Sequence, residues 1–323
     1  MFHHYVPRWT AAHNFLSAAL CGAGIGLYSL EECIKDELTF LTEQLSEVRG
    51  QSIDVCELFN KAAFNIVAVV CVGSRMWSRI ASISTQAKVK CVESDSLPYL
   101  SQRNTRGRLT ARTRSGDTSD EHLVQMIFDL MTGSRSAMTW FAVYVAAHAD
   151  VQRKMQEEIE RVVGHDRRVS LEDRPRMPYT MAVINESLRL GTPTPFSLPH
   201  APIKDSTFRG FHLPKTCTVV ANIWSVHHDE KEWPNPEVFN PDRWLDADGQ
   251  LIQHKAFMPY SVGRRKCVAH WLADAQNFIF LTNILQNFTL GTSSSGVEEP
   301  KLLAGSPLRE PTSASITVGT RAY

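Results

Sequence analysis

The sequence predicts a mainly α fold with a small β component. Long stretches repeat apolar residues at i, i+3, i+4 and i+7, the period of a helix with one buried face. Hairpin-like sequence rich in β-formers is concentrated at about residues 200–225. Glycine and proline fall mostly where helices would cap or turn. With 323 residues, 43% of them hydrophobic, the chain can bury a sizeable core.

Taken in order, AHNFLSAAL forms a first helix that stops at the glycines of CGAGIG. A second starts at a capping box, Ser29 with Glu32, and runs to Gly50. A third opens with Asp54 and Glu57 and carries AAFNIVAVVCV to Gly73. From 74 to 119 the periodicity fails, and a polar stretch with Arg103, Arg106, Arg108, Arg112 and Arg114 reads as a long connection. A long helical pattern resumes at Glu121, with Gly133 inside it. Asp150 then caps VQRKMQEEIERVV, which closes at Gly164. YTMAVINESLRL is a shorter helix ended by Gly191, Pro193 and Pro195. After the β-like stretch comes a proline-punctuated meander, EWPNPEVFNPDRW. The last amphipathic run follows Cys267, with Val268, Trp271, Leu272, Ala275, Phe278 and Ile279 on one face and continuing past Asn287. No solenoid-like repeat is present.

Several function classes drop out. Thirty-four basic residues balance 34 acidic ones, so no global field draws the chain to nucleic acid or an anionic membrane. The arginines of 103–114 lack the interleaved aromatics of a single-strand groove. Seven cysteines include no CxxC pair, against both a disulfide framework and a zinc knuckle. CGAGIG follows a helix and not a strand, which excludes a dinucleotide loop. His227 and His228 are adjacent and cannot both face one ion from a regular element.

Two constellations remain. Cys267 follows a glycine turn and the basic run Arg264, Arg265, Lys266, at or just before a helix N-terminus. Free N–H groups, the helix dipole and the basic side chains all favour a thiolate there. A buried apolar cysteine is the plainer alternative. Glu186 and Arg189 stand at i, i+3 on one helix face, and Arg243 of the meander is a candidate second arginine for the same carboxylate.

These stretches, in this order, resemble the cytochrome P450 family and are most similar to its microsomal, vertebrate-type members. Tyr260, Gly263, Arg265 and Cys267 follow the family's F-x-x-G-x-R-x-C pattern, and Glu186 to Arg189 its E-x-x-R. Asn222, Trp224, His227, Asp229, Trp233, Pro236, Phe239, Pro241 and Arg243 match the stretch before the cysteine. Leu198 to His200 and Phe208 to Gly210 fit its β segments, and Trp9 matches a W-x-x-x-R motif. The resemblance implies haem b with Cys267 as the thiolate ligand of iron, Trp9, His13, His200 and Arg265 around the haem, and Glu186, Arg189 and Arg243 as a structural network. It implies monooxygenation of an apolar small molecule, with electrons from NADPH through a flavin reductase, no nucleic acid, and the endoplasmic reticulum membrane as location, the cytoplasm being the alternative for a chain that shows no anchor. A haem-binding or apo protein of the same fold without turnover is the alternative reading.

The departures are specific. The family arginine paired with Trp9 is His13, and the glycine two residues after the cysteine is Ala269. The family's distal A-G-x-[D/E]-T-T aligns with TGSRSA: Gly133 fits, Arg135 takes the acid position and Ser136 the threonine position. Ser134 and Ser136 are the remaining candidates for proton relay. The distance from Asp129 to Trp140 is about one helical turn short of the pattern. The expected organisation is one incomplete domain over 1–323: early helices to 73, an irregular connection over 74–119, and a core from 120 onward. The expected chain lacks the family's N-terminal anchor and first sheet, and its roofing helices are shortened.

Overall fold

Helices carry most of the architecture in the computed structural model, which describes residues 27–48, 50–72, 136–292, 301–302, 308–311 and 314–321. About half of the structure is helical, and the sheet component is small. Helix α1 spans Leu27–Glu47, strand β1 Ser52–Asp54 and helix α2 Val55–Val72. Leu30, Ile34, Leu38, Leu41 and Leu45 recur every three or four residues along α1, and all are buried. Ser29 lies inside this helix, so the Ser29–Glu32 pair does not cap it. Asp54 does cap α2: its Oδ1 accepts the Cys56 N–H at 2.9 Å.

Helix α3, Ser136–Ala147, is apolar nearly all round and buried accordingly. Helix α4 follows at Ala149–Val162 after a single non-helical residue, His148. That short break places Asp150 in the first turn of α4 and not at its cap. Gly164, at φ 74, closes α4 with its N–H on Ile159 O at 3.3 Å. A 3₁₀ turn, Leu171–Arg176, leads into helix α5, Pro178–Gly191.

Two partners outside α5 fix its ends. Proline at the first position has no N–H to satisfy, and the Glu158 carboxylate of α4 accepts the next two, from Tyr179 and Thr180, at 3.0 and 2.7 Å. At the other end Gly191, expected to terminate the helix, is still helical. A Cβ there would stand 2.8 Å from Trp140 Cγ, so the glycine serves the close approach of α3. The left-handed position belongs to Thr192, at φ 37.

Strand β2, Ser206–Phe208, and β3, Phe211–Leu213, form a hairpin across Arg209 and Gly210, both at positive φ. The expected β region ends early, because helix α6 forms at Ile223–His227 with Asn222 Oδ1 accepting the Ser225 N–H at 3.0 Å. A 3₁₀ turn at Pro241–Trp244 lies in the meander, and another at Gly263–Arg265 precedes the cysteine. Helix α7 spans His270–Asn287. The apolar run then changes period: Phe288 and Leu290 are buried and Thr289 is exposed in strand β4, Phe288–Thr292. Short strands β5 (Lys301–Leu302) and β6 (Arg309–Glu310) pair with each other. Strand β7, Ser315–Thr320, lies between β1 and β4 in an antiparallel sheet, with Ile53 opposite Ile316 and Leu290 opposite Val318. The expected helix at 12–20, the connection at 74–119 and the start of the long helix from Glu121 lie outside the described residues.

Candidate functional site

The most completely bonded side chain in α5 is the Glu186 carboxylate. It is wholly buried and accepts five hydrogen bonds: from Arg189 Nε and Nη2 at 2.8 Å each, Asn240 N at 3.0 Å, Arg243 Nε at 3.1 Å and Trp244 Nε1 at 2.9 Å. Arg189, equally buried, also donates to His227 O and Pro236 O at 2.8 Å. Arg243 donates to Pro234 O, Asn235 O and Val238 O. One carboxylate and two guanidinium groups thus tie a helix to a loop whose carbonyls have no strand to pair with. Burying such charges is tolerable only because nearly every donor and acceptor is satisfied. The indole of Trp233 completes the packing, 5.4 Å under the Arg189 guanidinium.

His227, at the end of α6, joins this network to the segment leading to the cysteine. Its carbonyl takes the Arg189 bond, and its Nε2 lies 3.0 Å from Met258 N. Burial foremost, then the charges of His228 and Arg189, lowers its pKa to about 3. The chain then turns through Ser261 at φ 61 and Gly263 at φ 74, and Cys267 N donates to Tyr260 O at 3.0 Å. Cys267 stands three residues ahead of α7, with its side chain open to solvent.

The electrostatics at the thiol differ from the sequence-based expectation. The protein packed around Cys267 pushes its pKa up; the Ala269 N–H lowers it, Asp274 raises it and Lys266 lowers it. The net direction is upward even though the side chain is exposed, so the helix N-terminus and the basic run do not by themselves lower the thiol's pKa. Asp274 is also held by Tyr260, whose Oη donates to Oδ1 at 2.7 Å.

The other expected site residues fall in different surroundings. Arg265 is half-buried, and desolvation lowers its pKa. His200 pairs through both backbone groups with Val219, at 2.8 and 2.7 Å, and its side chain is half-buried. Ser136, the first residue of α3, is buried, and its Oγ donates to Arg309 O at 3.1 Å. Trp9, His13, Gly133 and Ser134 lie outside the described residues.

The family model described as cytochrome P450 matches residues 1–96 and 100–318. The chain belongs to the cytochrome P450 family. Haem iron is the cofactor of this family, and its members take electrons from a redox partner and bind small molecules. Among curated P450s, cytochrome P450 2U1 of Bos taurus is 29% identical over 347 residues, covering 90% of this chain and 64% of that protein. Cytochrome P450 2J5 of Mus musculus is 39% identical over 180 residues, 54% of this chain and 36% of that protein. The steroid 17-alpha-hydroxylase/17,20 lyase of Gallus gallus is 29% identical over 350 residues, 90% of this chain and 69% of that protein. The alignment of 347 residues is longer than the chain's 323, so the bovine P450 carries residues within the matched span that this chain lacks. These relatives are microsomal P450s; among the described residues of this P450, no helix is long and apolar enough to cross a membrane.

The residues present fit a haem. Among the described residues no group of three histidines, cysteines or carboxylates could hold a bare metal ion. Among the described residues Cys267 is the exposed cysteine, and one such sulfur suits a metal that arrives with its own ring of nitrogen ligands. Three parts of the site carried little sequence signal. Trp244 Nε1 and Asn240 N complete the Glu186 shell, and Arg309 caps α5 through Leu190 O and Gly191 O at 3.2 and 3.1 Å. The W of the FNPDRW stretch was the available clue to the first; no local pattern points to Arg309.

Proposed function

We propose that this P450 is a haem-thiolate monooxygenase acting on an apolar small molecule, with Cys267 as the ligand of haem b iron. One observation carries the reading: in a chain of this family, an accessible cysteine stands on a loop tied to the buried Glu186–Arg189–Arg243 network. When bound, haem would supply activation of molecular oxygen, one atom entering the substrate and the other leaving as water. The chain's own residues have simpler tasks. The Ala269 N–H and Lys266 favour charge on Cys267 Sγ, which would be the atom that holds haem iron. Arg265 is assigned to an anionic edge of the haem, with Trp9, His13 and His200 as further contacts. Ser136 Oγ is already engaged as a hydrogen-bond donor to Arg309 O, so proton delivery is assigned first to Ser134, with Gly133 before it in the sequence as the family's distal glycine.

Electrons are assigned to NADPH through a flavin reductase, and the site of action to the endoplasmic reticulum membrane. The test is the carbon monoxide difference spectrum of the reduced, haem-loaded chain beside Cys267→Ala. A red-shifted Soret band present in the parent and lost in the variant is expected; a band that survives the substitution overturns the ligand assignment. Reductase-dependent product from an apolar substrate panel tests turnover, and its absence in a protein with the thiolate band overturns the monooxygenase reading.

A further inference from the structure

We infer that His227 is the positioning residue through which the buried Glu186–Arg189 pair holds the start of the cysteine loop, as a neutral acceptor for the Met258 N–H. The inference deepens the proposed function, since it concerns the loop that presents Cys267.

The hydrogen bonds determine the tautomer. Met258 N–H can only donate, so His227 Nε2, 3.0 Å away, must be the acceptor. The ring proton then sits on Nδ1 and is given to Thr192 Oγ1 at 3.2 Å. The threonine hydroxyl in turn donates a hydrogen bond to Arg189 O at 2.5 Å. The Arg189 guanidinium returns a bond to the His227 carbonyl at 2.8 Å. Arg189 and His227 are therefore joined by two routes, one through the side chain of each, and the imidazole is held at both edges. Thr192 adopts φ 37, a left-handed conformation that a β-branched residue takes only under constraint. That backbone state is maintained where its hydroxyl bridges the two residues.

Aromatic packing fixes the same step of chain from the other side. Phe257 stacks on the His227 ring with centroids 5.8 Å apart and meets Trp244 edge-on at 4.6 Å. Trp244 in turn donates to Glu186. Beyond Met258 the backbone bonds of the loop are local turns, Ser261 N to Met258 O and Cys267 N to Tyr260 O at 3.0 Å and Lys266 N to Gly263 O at 3.1 Å, and Tyr260 Oη ties the middle of the loop to Asp274 of α7 at 2.7 Å. His227 thus anchors the loop at its entry, ahead of the Tyr260–Asp274 tie. Burial supports the role, because it keeps the Nε2 lone pair free of protons at ordinary pH.

Imidazole is suited to this place. Its acceptor and donor lie on opposite edges of a flat ring that also stacks. Glutamine can offer Met258 an acceptor but cannot reach Thr192 at the same time. Phenylalanine keeps the stacking and offers no acceptor.

The experiment compares hydrogen exchange of the full haem-loaded chain with that of His227→Phe, His227→Gln and Thr192→Val, alongside the carbon monoxide spectrum of each. Losing one buried acceptor is expected to speed exchange at Met258 and through 256–267 by about tenfold in His227→Phe, with α5 within about twofold of the parent. The thiolate-type band is expected to fall in the same variant. His227→Gln is expected to restore most of the protection at Met258, and Thr192→Val to give a smaller loss confined to the loop. Unchanged loop exchange and an unchanged band in His227→Phe would overturn the inference, as would equal loss of protection in the loop and α5. If the phenylalanine variant does not fold, an unprotected loop in His227→Gln overturns the acceptor role and a protected one supports it. A parent without the thiolate band defeats the proposed function, while the exchange comparison on that same protein still decides the anchor.

Discussion

Replacing Glu186 with glutamine removes a charge and leaves the shape. In the parent, Oε1 receives three donors, from Arg189 Nη2, Asn240 N and Arg243 Nε, and Oε2 receives two, from Arg189 Nε and Trp244 Nε1. Whichever way the glutamine amide is turned, its NH₂ faces at least two N–H groups that cannot accept. Arg189 loses its counter-charge with no solvent access, and Arg243 loses most of its own. Breaking one side of a buried ion pair costs about 3–5 kcal/mol. Set against a total stability of about 5–15 kcal/mol, that leaves the fold marginal. Urea unfolding followed by tryptophan fluorescence reads the effect where it arises, since Trp233 and Trp244 pack in this cluster. A Glu186→Gln midpoint equivalent to a loss of less than about 0.5 kcal/mol would refute the argument that this carboxylate organises the meander.

Three further outcomes are expected. Gly191→Ala puts a methyl 2.8 Å from Trp140 Cγ, in a buried ring already tied to Arg309 O at 2.9 Å; overpacking of about 1–3 kcal/mol exceeds the helix-propensity gain of at most about 1 kcal/mol, so the thermal midpoint falls. His227 resists protonation until about pH 3, whereas the unfolded chain takes up that proton near the ordinary histidine value. Its contribution is complete above about pH 6.5 and declines as pH falls, by up to about 1.4 kcal/mol per unit; urea titrations between pH 7 and 5 should show a shallower decline in His227→Gln. Burial alone would raise the Asp173 pKa, but bonds from Arg167 and Ser170 lower it to about 2, so its stabilisation holds above the unfolded value near 3.8 and is lost as pH falls through 2. Because both partner arginines are about half exposed, Asp173→Asn should cost only about 1 kcal/mol at pH 7, with the difference from the parent vanishing in acid unfolding below pH 2.

How far the sequence could be read depended on the range of each interaction. Periodicity located α1, α2, α4, α5 and α7, because a buried stripe repeats within one helix. Cap positions read less well. Ser29 and Asp150 are good cap residues, yet α1 starts ahead of Ser29, and α4 starts directly behind α3. Strand β1 was invisible, since Ser52–Asp54 shows no alternation and becomes a strand only by lying against β7 more than 250 positions away. The candidate site divides in the same way. Glu186 and Arg189 announce themselves by spacing, and Cys267 by its glycine, basic run and following helix.

By itself, then, the amino-acid sequence determined a mainly helical chain, the family to which it belongs and the residues best placed to carry chemistry. Those properties reside in local period and in the order of short motifs. Tertiary structure decided what the residues do for one another: that Glu186 takes five donors, that Gly191 serves Trp140 and that Arg309 closes α5. It also decided that His227 reaches Met258 and that Tyr260 of the cysteine loop is tied to Asp274 of α7. Each of these depends on desolvation or on partners distant in the chain. Both arise only when separate segments are packed together and water is excluded between them.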